Sequence, residues 1–207
     1  MAPTHSDPRF RVLHALRVKG FAKVDVLSEL SGLPFEDVEG ELARLQHDEL
    51  AAFREARSLW QLTPNGREAH AHALAVDVHH PGVREALSEQ YGPFLKLNEE
   101  FKELCGEWQL RDGSPNDHSD TSYDRKVVDR LLLVDARVQP LCHAMGAVLE
   151  RLGPYAPRLK HVAERVDLGE RNLFTGVMCG SYHDVWMELH EDLILTLGID
   201  RSKEGSY

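Results

Sequence analysis

Residues 33–50 read LPFEDVEGELARLQHDEL. Val38, Leu42 and Leu45 recur at helical spacing and, with Phe35, predict an amphipathic helix with an inward apolar stripe. Glu36, Asp37, Glu39, Gly40, Ala43, Arg44 and His47 are left facing outward. Glu36, Asp37, Glu39 and Glu41 all come before the first basic residue, Arg44. Early carboxylates suit the positive end of the helix dipole, but they repel a phosphate backbone. The charge of this front is the first thing to explain, and an expectation of what it meets has to come from outside the helix.

The flanking sequence supplies that expectation. Upstream, DPRFRVLHALRVKG places Phe10, Leu13 and Leu16, flanked by Val12, on one face of a helix, with Pro8 in its first turn and Gly20 at its end. FAK reads as a short extended piece, and VDVLSELSG as a compact helix closed by Gly32. Pro34 opens the acidic helix. Downstream, AAFREARSLWQLT alternates Ala52 and Arg54 against Phe53, and Leu59 and Gln61 against Trp60 and Leu62. This predicts a hairpin turning near residues 55–58. TPNGREAH then restarts a helix, with Thr63 as N-cap and Pro64 at the first position.

This order resembles the winged helix-turn-helix of bacterial transcriptional regulators, the MarR-like group above all. The match is carried by Leu27, Leu30 and Leu33, then Val38, Leu42 and Leu45, then the hairpin and LTPNG, and it covers residues 8–75. LHALRVKGFA is also similar to small winged helices attached to phosphotransfer enzymes. The resemblance implies DNA binding, with positive charge from Arg9, Arg11, Arg17, Lys19 and Lys23 near the first helix, Arg44, and Arg54 and Arg57 at the hairpin tip. Fold likeness alone does not establish that function.

The totals constrain the partners. The net charge is −10, with 9 Lys and Arg against 11 Asp and Glu in residues 1–70 and 15 against 23 in residues 71–207. Neither part has the basic excess of a non-specific nucleic-acid binder, so any DNA contact has to come from a local patch. Hydrophobic residues make up 42% and charged residues 28%, ordinary for a globular chain. No apolar run reaches membrane-span length. MAPTHSDPRF lacks the regions of a signal peptide, which predicts a cytosolic protein. Cys105, Cys142 and Cys179 form no CxxC pair and predict neither a disulfide framework nor a zinc site.

Residues 76–82 read as a His-rich linker closed by Pro81 and Gly82. From residue 83 to 200 the expectation is an all-helical domain. Its stripes are Phe94, Leu97, Phe101, Leu104 and Trp108; Val127 through Leu152, with a break or kink at Pro140; and Tyr182, Trp186, Leu189, Leu193 and Leu197. RDGSPNDHSD is a polar loop between the first two. The first stripe is longer than one short neighbour covers, which predicts a two-fold homodimer. The fold class is thus mainly α: an N-terminal winged helix-turn-helix with a small β-hairpin, then an all-helical domain.

Trp108, Tyr182 and Trp186 beside His118, His183 and His190 are the candidate lining of a small-molecule effector pocket. His183 and His190 are too far apart along a helix to chelate one ion. Asn116, Asp117, His118, Asp120 and Asp124 only partly resemble a calcium loop. Equally, these histidines cap loops or bond to carboxylates in the core. His70, His72, His79 and His80 read as a solvated helix end and linker. No cofactor is identified, and no phosphate loop, dinucleotide fingerprint or nucleophile elbow is present, so no enzymatic residue is assigned. The expected function is a DNA-binding transcriptional regulator. The alternatives are a winged-helix protein-interaction module and a metal- or small-molecule-binding helical protein.

Overall fold

A computed structural model describes residues 3–200. The chain is mainly helical with a small antiparallel sheet. Helix α1 (Pro8–Lys19) starts where the Asp7 side chain accepts from the Phe10 amide at 3.2 Å and stops at Gly20, whose φ is 80°. β1 (Phe21–Ala22), α2 (Val24–Ser31) and α3 (Phe35–His47) follow. β2 (Ala51–Arg54) and β3 (Leu59–Leu62) are joined by a 3-10 turn at Glu55–Arg57, where the alternation placed it. The sheet order is β1-β3-β2, with Phe21 opposite Gln61 and Phe53 opposite Trp60. Ala22, Ala51 and Leu62 are buried on its inner face. Thr63 caps α4 (Pro64–Asp77) by accepting from the Gly66 amide at 3.0 Å.

The remaining elements are α5 (Val83–Gln109), β4 (Leu110–Arg111), β5 (Ser114–Pro115), α6 (Thr121–Val148), a 3-10 turn (Glu150–Leu152), α7 (Tyr155–Asp167), α8 (Asn172–Thr175) and α9 (Tyr182–Leu197). The expected all-helical character needs correction: β4 and β5 form a two-residue hairpin inside the polar loop. Asp112 and Gly113 turn it with φ of 51° and 79°. An Asp-Gly pair favours that left-handed turn, so the signal was present in the sequence. α6 runs on past Pro140. The 76–82 segment is shorter than expected as a linker, because α4 continues to Asp77 and Val78 is buried.

Two further corrections concern faces. Phe35 does not join the inward stripe of α3; it is 47% exposed, whereas Val38, Leu42 and Leu45 are fully buried. It is the first residue of its helix, where the stripe has no neighbour to meet. Conversely, α1 is buried all round from Phe10 to Leu16, including Arg11 and His14. It packs on α2, α3, α4, β3 and α9. The stripe Phe94, Leu97, Phe101, Leu104 and Trp108 is buried by the chain's own α6, α8 and α9, so it supplies no reason for a dimer. One continuous cluster of buried residues runs from Val12 to Leu193 through both parts of the chain. Among the described residues no helix is long and apolar enough to cross a membrane.

Candidate nucleic-acid interface and the charged seam behind it

The outer face of α3 is as acidic as its sequence. Glu36, Asp37 and Glu39 are exposed, while Glu41 is buried and accepts from Arg44 at 2.5 Å. Of the cations expected to attract DNA, several are engaged within the chain. Arg9 pairs with Asp48 at 2.5 Å. Arg11 is 9% exposed, donates to the Ser31 carbonyl and lies 3.5 Å from Glu150. It braces the end of α2 and does not reach the surface. Arg17 pairs with Glu191 at 3.4 Å, and Lys19 with Glu188. Lys23, Arg54 and Arg57 remain exposed. With its amide oxygen turned toward the guanidinium, Gln61 accepts from Arg54 Nε at 3.0 Å and Nη2 at 2.8 Å, which holds Arg54 along the outer face of the hairpin.

Behind α1 lies a buried polar seam that the sequence did not announce. Arg151, 3% exposed, donates from Nε to Asp77 Oδ2 at 3.0 Å, from Nη1 to Asp192 Oδ1, and from Nη2 to Thr196 Oγ1 at 2.6 Å. Thr196 donates to Asp192 Oδ1 at 3.0 Å, and the Tyr155 hydroxyl to Asp192 Oδ2 at 3.0 Å. His14 Nε2 lies 3.0 Å from Asp192 Oδ1 and 3.0 Å from Arg151 Nη1. His14 Nδ1 lies 2.8 Å from His70 Nε2, with the two rings stacked. With the proton on Nε2, His14 donates to Asp192 and its Nδ1 accepts from His70 Nε2–H; Arg151 Nη1 then lies beside His14 Nε2 without donating to it, and both donate to Asp192 Oδ1.

The electrostatics fit neutral imidazoles. Burial lowers the pKa of His14, and Arg151 lowers it further against the pull of Asp192. Burial and the neighbouring His14 bring His70 down to about 3. Burial alone would raise Asp192, but Arg151 and His14 hold it well below the usual carboxylate range. The seam therefore holds one guanidinium against two carboxylates. His70 was expected in a solvated cluster and is instead 2% exposed; His72, His79 and His80 are exposed as expected. Ala75, Val76, His79, His80 and Pro81 line an open surface hollow of about 520 Å³ at the α4–α5 joint.

The candidate effector residues separate into two groups. Trp108 packs with tilted rings against His118 at 4.5 Å and Phe174 at 4.6 Å. His118 Nδ1 lies 3.1 Å from both oxygens of Asp124. Tyr182 and Trp186 are fully buried among Phe94 and Phe101, and their polar atoms are satisfied: Tyr182 donates to Asp135 at 3.1 Å and Trp186 to Asn98 at 2.9 Å. His190 is buried with Nε2 3.3 Å from the Tyr91 hydroxyl oxygen. His183 is half-buried, and its Nδ1 has no hydrogen-bond partner among the described residues. None of these six residues lines the hollow at the joint, and the aromatics of α9 form packed core. The oxygen-rich loop is used locally: Asp120 caps α6 by accepting from the Ser122 and Tyr123 amides; the Ser122 hydroxyl, which donates to it at 2.7 Å, and then the Tyr123 amide bring its pKa to about 2; and Asp117 accepts from the Ser119 amide.

Comparison with known proteins found no family model, no curated protein and no solved structure that matches this chain.

Proposed function

We propose that this chain is a winged-helix regulator of transcription whose N-terminal unit approaches DNA wing first. The order α1-β1-α2-α3-β2-β3, with β3 central in the sheet, supports the winged-helix reading. The observation that carries the mode of contact is the exposed pair Arg54 and Arg57 at the hairpin tip, with Lys23 at the head of α2, while the other cations near α1 and α3 are buried or paired. The carboxylates at the front of α3 cannot hold phosphates. They can accept from base amino groups in the major groove, cytosine N4 among them. Few phosphates are then neutralised per protomer, so non-specific affinity is low and specific binding depends on two protomers acting together. A homodimer in the cytosol, responsive to a small-molecule effector, belongs to the same proposal.

The test is recovery of sheared genomic DNA on the purified protein at low salt, including the region upstream of its own gene. Enrichment of a few fragments that share a two-fold motif is the expected result. Absence of any retained fragment would overturn the proposal.

A second reading is favoured by one feature. Phe35 and Phe53 are 47% and 40% exposed, and Phe35 stands beside Glu36, Asp37 and Glu39. Exposed aromatic rings amid carboxylates suit a basic protein partner more than a nucleic acid. In that case a partner captured by the wild-type chain is lost on Glu36→Lys or Glu39→Lys.

A further inference from the structure

We infer that Arg151 is the pin of a latch that holds the N-terminal segment on the helical body and thereby fixes where the hairpin stands relative to α5–α9. The geometry is that of a joint. Asp77 is the last residue of α4, immediately before the short connection to α5. Arg151, from the turn after α6, binds Asp77 with one nitrogen and reaches α9 at Asp192 and Thr196 with the other two. It also lies against α1, with Nη1 3.0 Å from His14 Nε2 and its guanidinium 5.9 Å from the Phe10 ring. One side chain thus ties α1 and α4 to α9. Around it, Arg17 with Glu191, Lys19 with Glu188, and the pairing of Thr4 beside Leu149 run along the same boundary.

Such a contact holds or fails as a unit. Asp192 accepts from Arg151, Thr196, Tyr155 and His14 together, so a displacement of α9 that loses one of these bonds leaves buried charge exposed to the loss of the rest. A rearrangement of the helical body would therefore reach the hairpin through α1 and α4. This last clause rests on the regulator proposal; the latch itself does not.

The test uses the full chain with spin labels on Cys179 and on Ser58→Cys at the hairpin tip. Cys142 is 1% exposed and is left in place, and the half-buried Cys105 is replaced by Ala so that only the two chosen sites carry label. Wild type should give one narrow distance. Asp77→Asn, which leaves the Asp192 contacts in place, and Arg151→Lys, which keeps the charge but loses the fork, should each broaden it. In both variants a broad-specificity protease should cut residues 78–82 roughly tenfold faster while α5–α9 stay protected. An unchanged distance in both variants, or cleavage that rises equally throughout the chain, overturns the latch. Failure of all DNA to bind overturns the regulator proposal and leaves the distance measurement standing.

Discussion

His14 and His70 share a hydrogen bond in a place where neither can take a proton cheaply. Both pKa values are lowered by burial, so the folded chain prefers them neutral while the unfolded chain protonates them near 6.5. The stability they contribute is complete above that value and is lost as pH falls from about 6.5 toward His70's value of about 3. Asp192 acts in the same direction, its lowered pKa adding a loss only below the ordinary carboxylate range. The melting temperature should be flat above neutrality and fall on acidification, as unfolding free energy drops by at most about 1.4 kcal/mol per pH unit per histidine. His70→Gln should remove part of that fall between pH 6.5 and 4.5. A melting temperature that rises on acidification contradicts this assignment. The sequence offered faint signals here: Asp192 interrupts the apolar run of α9, and Arg151 sits between Leu149 and Leu152. Neither shows which partner it meets, because Arg151 and Asp77 are far apart in the chain and only packing brings them together.

At the scale of elements, the local grammar was readable wherever a cap or turn decided the backbone. Pro8, Thr63 with Pro64, and Gly20 and Gly32 mark helix ends that the structure keeps. The first hairpin followed from alternation; the second was missed because two-residue strands are too short to alternate. Phe35 was misread, and the aromatics of α9 were left open between apolar stripe and pocket lining, for a common reason. Periodicity tells which residues share a face, and only neighbours tell whether that face is core, cavity or surface. Gly66 shows how tightly α4 meets the sheet: a Cβ there would stand 1.9 Å from the Leu50 carbonyl oxygen. Gly66→Ala should therefore destabilise the chain by about 1–3 kcal/mol or more through overpacking, read by denaturant titration. Gly40→Ala on exposed α3 meets nothing within 4 Å and should be neutral or stabilising. Equal effects of the two changes would mean that α4 does not sit on Leu50 as described.

For the whole molecule, the helical body and the N-terminal segment share one core and one buried charged seam, so a single cooperative unfolding transition is expected. The stripe on α5 is covered within the chain. A two-fold assembly must therefore use another face, such as that around Leu133 on α6, which is 64% exposed. Light scattering at micromolar concentration should give twice 23.4 kDa if the two-protomer proposal holds. A monomer mass removes the palindromic mechanism and leaves a single wing to bind alone. Net charge points to this difficulty more directly than fold: at −10, with Arg17 and Lys19 of α1 paired to α9 and Arg9 to Asp48, the N-terminal segment has few free cations to offer a phosphate backbone.

The wing-first account is tested most directly by fluorescence anisotropy on one retained genomic duplex, comparing wild type with Arg54→Ala/Arg57→Ala across a salt series. Each phosphate contact contributes about 0.9 to the slope of log affinity against log salt. The account predicts that the double variant binds every duplex more weakly and that its slope is shallower by roughly 1.8 per protomer. An unchanged slope, with binding lost instead on Arg44→Ala, would place the phosphate contacts on α3 and contradict it.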